Sequence, residues 1–279
     1  MELGVFIFDT DYSIPIDELA RALEDRGFAS LYVPEHTHIP TSRKSPWPGG
    51  GELPKEYSHT LDPFVSLSFA AAATTNLKLG TGISLIPQRD PIVTAKAVAS
   101  LDMMSNGRFT LGIGGGWNIE EMEHHGATYK TRFKLMRERV LAMKALWTED
   151  EASFEGEMVR FESSWSWPKP LQKPHPPIIL GGETKYTLQR VAEFCDGWLP
   201  RVTPAFDPQK DMERLRQAAE EAGRDPSELS VTLFRAPADA QRLEACAQAG
   251  ISGGLFQLPS ADRETVLPML DDYAKLLNS

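Results

Sequence analysis

Eight times along the chain, a short run rich in Val, Ile, Leu and Phe is followed by a longer segment of helical periodicity. This repeated alternation constrains the fold more than any other feature of the sequence. The strand-like runs are ELGVFIF, SLYVPE, LKLGTGISLIP, RFTLGIGGG, PPIILGG, GWLPRV, LSVTLFR and GGLFQLP. None alternates strictly between apolar and polar, which is the pattern of parallel strands covered on both faces. Between them, IPIDELARALEDRGF brings Leu19, Ala20, Leu23 and Phe28 to helical spacing and stops at Gly27. LDPFVSLSFAAAATT starts with Asp62 as a cap and Pro63 at the first helical position. TRFKLMRERVLAMKALW is an amphipathic helix. Eight such units in 279 residues predict an α/β protein, a closed (β/α)8 TIM barrel, with one domain spanning residues 1–279. An open doubly wound sheet would need a glycine-rich dinucleotide turn after the first strand, and FIFDTDYSIP offers none.

Two segments break the rhythm. Residues 37–60 form a long loop after the second strand. Residues 151–176 are an insertion before the fifth, in which ASFEGEMVRFE suggests a hairpin turning at Glu155 and Gly156.

Net charge is −10 with no basic block, which excludes a nucleic-acid backbone as partner. Cys195 and Cys246 sit in neither metal nor redox spacing, and the histidines lack metal-ligand spacing, so no metal is expected. The thiols are expected to be buried in a reducing compartment. The N-terminus MELGVFIFDTD has no basic segment followed by a long apolar run, and no stretch approaches eighteen apolar residues. The expectation is a cytoplasmic protein without membrane contact.

In a barrel of this type the chemistry belongs at the C-terminal strand ends. The second strand ends in Glu35 and His36, an acid beside a general acid–base candidate. The third carries Gly82, Ile83 and Ser84, where a glycine within an apolar strand marks a bulge or a close backbone approach. The fourth ends in Gly114, Gly115 and Gly116, followed by Trp117 and Asn118. Three glycines leave a flat backbone surface for a ring or a phosphate. The fifth ends in Gly181, Gly182, Glu183 and Thr184, a glycine turn entering a helix N-terminus and hence an anion site. The sixth places Arg201 near the same rim. There is no Gly-x-Ser-x-Gly elbow, no isolated strand-end lysine and no second carboxylate paired with Glu35. Glycine-rich strand ends with few charged catalysts suit a cofactor that performs the difficult step itself.

Three stretches, YVPEHTHIP, KLGTGISLIPQRDPIVTAKAVASLDMMSNGRFTLGIGGGWNIEEMEHHG and PPIILGGETKYTLQRVAEFCDGWLP, resemble the luciferase-like monooxygenase superfamily. Within it they are similar to the oxidoreductases that use the deazaflavin coenzyme F420. The loop SRKSPWPGGGELPKEYSHTLDPF and the segment WSWPKPLQKPHPP are similar to one actinobacterial subgroup of that branch. The resemblance covers residues 1 to about 201. It implies hydride transfer between F420 and an organic small molecule, with FMN-dependent monooxygenation or a non-catalytic flavin-binding barrel as alternatives. It also implies a homodimer. By resemblance, Glu35 and His36 fall near the reactive face of the deazaflavin, with Glu35 holding His36 or the ring. A non-prolyl cis peptide falls at Gly82 and Ile83, with Ser84 completing the bulge behind the ring. The coenzyme phosphate falls at Gly181, Gly182 and Thr184, beside Glu183. Gly114, Gly115, Gly116, Trp117 and Asn118 line the ring site. Sugar-phosphate dehydrogenases of the branch carry an acid where this chain has Trp117, with Glu120 and Glu121 close by. The loop after His36 is long enough to act as a lid, with Trp47, Leu53 and Tyr57 covering the substrate.

Overall fold

The computed structural model describes residues 1–277. Strand β1 (Glu2–Phe6) pairs in parallel with β2 (Ser30–Val33) on one side and with the last strand, β11 (Gly253–Gln257), on the other. The order continues from β2 through β3 (Lys78–Thr81) to β5 (Phe109–Gly114), then β8 (Ile178–Gly181), β9 (Gly197–Leu199) and β10 (Ser230–Phe234), which meets β11 and closes an eight-stranded parallel barrel. The run read as one third strand is two. After β3 the chain passes through a cis peptide at Gly82–Ile83 and resumes as β4 (Ser84–Leu85), still paired with β5. Around the barrel lie α1 (Ile16–Asp25), α2 (Pro63–Ala73), α3 (Pro91–Met104), α5 (Arg132–Thr148), α6 (Lys185–Phe194), α7 (Pro208–Glu221), α8 (Ala240–Gln248) and α9 (Arg263–Ala274).

The local chemistry fixes where these helices begin. Asp62, Asp90, Thr184, Asp207, Asp239 and Asp262 each accept a backbone N–H of the first turn. Pro63, Pro91 and Pro208 occupy first positions, where the missing N–H costs nothing. The α4 helix (Ile119–His124), capped by Asn118, was not foreseen, because six residues are too few to show a period. The insertion is the antiparallel pair β6 (Ala152–Glu155) and β7 (Arg160–Ser164), as its sequence suggested. The long loop after β2 contains one turn of 3-10 helix, Lys55–Ser58.

One core lies between strands and helices; a second fills the barrel with Phe6, Phe8, Tyr32, Ile179, Leu199 and Leu255. The barrel interior is therefore packed side chains, and ligand chemistry is confined to its C-terminal end. At Gly112, β5 runs so close to Thr81 that an added Cβ would stand 1.9 Å from the Thr81 carbonyl oxygen. No helix among the described residues is long and apolar enough to cross a membrane.

The N-terminal end of the barrel is closed by polar bonds. Arg108 donates to the carbonyls of Ala71, Thr74, Leu77 and Ser105 at 2.6–3.1 Å, satisfying the last turn of α2. Replacing it orphans several half-buried acceptors at once. Arg108→Met should lower stability by about 2–3 kcal/mol and the thermal midpoint by roughly 5–8 °C. A midpoint equal to wild type would show that water replaces the guanidinium at no cost.

Candidate active site

Side chains of adjacent extended residues point opposite ways, and Glu35 and His36 use this. The buried Glu35 carboxylate turns toward β4. It accepts the Ser84 hydroxyl at 2.7 Å, the Leu85 N–H at 2.7 Å and Arg89 Nε at 2.5 Å. Arg89 also donates to Asp62, the cap of α2. Of the two roles that the resemblance implied for Glu35, holding His36 or the ring, its partners are those of neither: they are Ser84, Leu85 and Arg89. His36 turns toward α4, where its Nδ1 lies 2.8 Å from Glu121 Oε2, and both side chains are buried. Glu121 accepts a second bond from the Thr37 N–H at 3.2 Å. A carboxylate accepting at Nδ1 selects the tautomer whose Nε2 is bare. Among the described residues, no protein group bonds His36 Nε2. His38 leaves the site and bonds His124 at 2.8 Å.

An aromatic group surrounds His36. Tyr57 lies 5.2 Å and Trp117 5.8 Å from its ring, centroid to centroid. Tyr57 in turn contacts Phe8 at 4.7 Å and Trp47 at 5.9 Å. Burial pushes the Tyr57 phenol up. The loop carrying Trp47, the half-buried Leu53 and Tyr57 is latched to the site. Ser45 Oγ accepts the Ile119 N–H and the Ser45 N–H donates to Glu120, each at 3.0 Å. Those bonds with Ser45 hold the Glu120 carboxyl below its usual range.

The strand-end glycines are explained largely by packing. A Cβ on Gly114 would lie 1.9 Å from Ile83 Cδ1, and one on Gly115 would lie 2.7 Å from Phe133 Cε1. Gly181 also borders Ile83, at 3.3 Å. Their missing side chains make room for Ile83 and Phe133, so the mouth is less flat than three consecutive glycines suggest. Gly116 and Gly182 are needed for their backbone, at φ +72° and +120°.

Thr184 caps α6, accepting the Thr187 N–H at 3.1 Å, and the Gly182 carbonyl accepts Trp198 Nε1 at 2.6 Å. Glu183 is neutralised by a bidentate Arg201 at 2.8 Å on both oxygens. Burial works to raise the Glu183 carboxyl, but Arg201 outweighs it and holds the group below its usual range.

Sequence reasoning missed two features. Arg132 and Arg190 lie over the Phe133 ring, 4.3 and 4.0 Å from its centroid, and neither meets a carboxylate at ion-pair distance among the described residues. Burial lowers the pKa of both, and for Arg190 the charge of Arg132 adds to the effect. Arg132 Nε is buried without a partner, at the first position of α5, where no side chain caps the helix. A cation at a helix N-terminus beside a second cation is unfavourable until an anion joins them. On the sequence both arginines read as ordinary helix-face charges. The second feature is Gln88, whose buried amide has neither Oε1 nor Nε2 paired; Asn118 Nδ2 is likewise buried and unpaired. Gln88 lies against Gly116, 3.7 Å from where a Cβ would stand. Buried amide atoms normally have a partner, so these can offer hydrogen bonds to a polar group at the mouth. No group of three or more His, Cys, Asp or Glu among the described residues is arranged to hold a metal ion.

The family described as "Luciferase-like monooxygenase" matches residues 1–257. The chain belongs to this luciferase-like family. Among relatives of the luciferase-like chain, the uncharacterized protein Rv0953c of Mycobacterium tuberculosis is 40% identical over 283 residues, covering 99% of both chains. The F420-dependent hydroxymycolic acid dehydrogenase of the same organism is 26% identical over 216 residues, covering 75% of this chain and 55% of that one. Among solved structures, an F420-dependent secondary alcohol dehydrogenase in complex with an F420-acetone adduct superposes with a TM-score of 0.78 at 18% identity, covering 99% and 97% of the two chains. That likeness confirms the shared barrel fold.

The Glu121 contact makes a spectroscopic prediction for this luciferase-like protein. In alkaline buffer, 15N spectra of labelled His36 should show the proton on Nδ1. In Glu121→Leu the acceptor is gone, and a substantial fraction should carry the proton on Nε2. An unchanged spectrum would mean that something other than Glu121 fixes the ring.

Proposed function

We propose that the protein is an oxidoreductase that transfers hydride between coenzyme F420 and an organic small molecule at this strand-end site. One observation carries the proposal. A buried His36–Glu121 pair with a bare Nε2 shares the barrel mouth with two arginines that meet no carboxylate at ion-pair distance among the described residues, the unpaired Gln88 amide and the unpaired Asn118 Nδ2. Such a site offers a proton carrier and an anion cradle, but no nucleophile paired with a base.

The residues present fit a phosphate-tailed ring cofactor. Arg132, Arg190 and the α6 N-terminus at Thr184 would take the phosphate, with Gly181, Gly182 and the neutralised Glu183 beside them. Gln88 and Asn118 offer amide groups to a heterocycle edge, Ile83 with Gly82 and Ser84 backs it, and Gly114, Gly115, Gly116 and Trp117 border it. A deazaflavin, when bound, supplies hydride as a two-electron unit and reacts poorly with oxygen. His36 moves the matching proton: Nε2 takes it from a substrate hydroxyl on oxidation and returns it on reduction. Glu121 fixes the orientation and tautomer of the imidazole. Glu35, through Ser84, Leu85 and Arg89, holds the β3–β4 break in place. Trp47, Leu53 and Tyr57 cover the substrate and exclude water. A cytoplasmic location suits Cys195 and Cys246, which stay buried as free thiols. The family's description as a monooxygenase supports a second reading, oxygenation on the same barrel, for which FMN would be the cofactor.

Protein made in a host without deazaflavin separates the two. Colourless protein that quenches added F420 fluorescence supports the first; yellow protein with a flavin spectrum overturns it. His36→Ala should retain F420 affinity and lose about 10²–10⁴ in turnover, whereas Arg190→Ala should weaken F420 binding by about ten- to a hundredfold. Normal turnover in His36→Ala would remove it from the mechanism.

A homodimer accompanies this reading. Helices α2 and α3 are apolar on most sides, and their outer faces leave Val65, Phe69, Val93 and Met104 exposed, Phe69 at 63% and Met104 at 77%. Helices of that composition are normally buried on all sides, and α2 follows directly on the Asp62–Arg89–Glu35 chain. Light scattering should give twice the chain mass for wild type and a monomer for Phe69→Glu combined with Val93→Glu. A monomeric wild type at micromolar concentration rejects the dimer.

A further inference from the structure

Strand β10 ends at Phe234, whose ring meets Phe6 at 4.3 Å and belongs to the aromatic cluster inside the barrel mouth with Phe8 and Tyr57. The next residue, Arg235, adopts φ +60°, a left-handed conformation that L side chains rarely take. Its neighbours fix it there. The Phe234 N–H donates to Pro200, the Phe234 carbonyl accepts the Val202 N–H, and the Ala236 N–H donates to Leu255, all at 2.8–2.9 Å. The Arg235 guanidinium lies 5.7 Å from the Phe234 ring centroid and is exposed.

A solvated surface arginine is the ordinary explanation, so the comparison with Arg201 matters. Arg201 bridges to Phe234 from the neighbouring strand tip, and its charge is spent on Glu183. Arg235 stands on the next strand tip at the same level, and among the described residues it has neither a carboxylate at ion-pair distance nor a side-chain hydrogen bond. The charges of both arginines reach Tyr57, where they oppose the effect of burial on the phenol. Tyr57 packs on His36. The mouth therefore runs from the proton carrier, across an aromatic wall, to an unneutralised guanidinium. A chain of net charge −10 repels organic anions in general, so a local cation at the mouth is what would let one dock.

We propose that Arg235 anchors the carboxylate of the substrate, which is an organic acid with an apolar body lying against Tyr57, Phe8 and Phe234. This rests on the oxidoreductase reading only in placing the substrate at the same mouth. The guanidinium fork matches a carboxylate in a two-bond arrangement that an ammonium cannot reproduce.

The test measures binding without turnover. Calorimetric titrations would pair arylalkyl and aliphatic carboxylates, such as 3-phenylpropionate, with their isosteric primary amides, and would add one phosphate monoester. They would use wild type, Arg235→Ala and Arg235→Lys, each saturated with F420. Wild type should bind at least one acid tenfold or more tighter than its amide. Arg235→Ala should lose that preference while quenching F420 fluorescence as wild type does, and Arg235→Lys should recover part of it. The proposal is overturned if no acid binds more tightly than its amide, if the preference survives in Arg235→Ala, or if the phosphate monoester alone is selected. If F420 itself fails to bind, the coenzyme reading falls, and the same acid–amide comparison on the protein alone still decides the role of Arg235.

Discussion

The site depends on one buried carboxylate. Glu35 stands at the tip of β2 and takes three donors, two of them from the opening residues of β4 and one from Arg89. A buried charge is tolerable only when it is so paired, and losing a donor would leave it costly. The pairing reaches further than the barrel wall. Arg89 also holds Asp62, and Asp62 accepts the Phe64 and Val65 N–H groups that open α2. A break in the third strand, the turn after it and the start of a helix are thereby referred to one oxygen pair. Because the next residue points the opposite way, the same strand tip delivers His36 to α4. An acid followed by a histidine is thus two separate ties from one strand end, one to each neighbouring wall.

The glycines take on a different meaning in that arrangement. Ile83 projects into space that a side chain at Gly114 would occupy, and Phe133 does the same at Gly115. Phe133 in turn presents its ring to Arg132 and Arg190. Small residues on β5 therefore let an aromatic ring approach the barrel rim, and that ring brings two like charges together. Stacking on an aromatic surface lets guanidinium groups remain close where bare repulsion would separate them.

The barrel was legible because its signal is repeated: eight apolar runs with eight helical partners, several with an Asp or Pro start signal, outweigh any one ambiguous segment. The strand-end positions of His36, Gly82, Gly115 and Gly182 followed from that rhythm. What was not legible requires contacts across long stretches of chain. Glu121 lies 85 residues from His36, and nothing in their local sequences couples them. Arg132 and Arg190 sit on different helices and meet only through Phe133. Gln88 looks like a turn residue until its burial and empty amide are seen together. Glu35 was read correctly as a strand-end acid, but its direction was not, since period-2 geometry fixes which residues oppose one another and not which neighbour each will reach.

Charge at the mouth separates into compartments. Glu183 is matched by Arg201, Arg89 is shared between Glu35 and Asp62, and Glu121 is held against His36. Among the described residues, cations without a carboxylate at ion-pair distance stand around them, namely Arg132 and Arg190 on Phe133, Arg43 over Trp117, and Arg235 at the tip of β10. The aromatic rings of Tyr57, Trp117 and Phe8 stand among them, and the charge of Glu56 also reaches Tyr57. On the proposed reading, an acidic protein with unpaired cations at separated points of one rim, and with a proton carrier and aromatic walls among them, takes two anionic molecules at once. On that reading the arginine pair and a helix end would hold the coenzyme, and the exposed Arg235 fork would hold the substrate. The stronger grip would then belong to the partner that stays, and the weaker to the partner that must leave after each turnover.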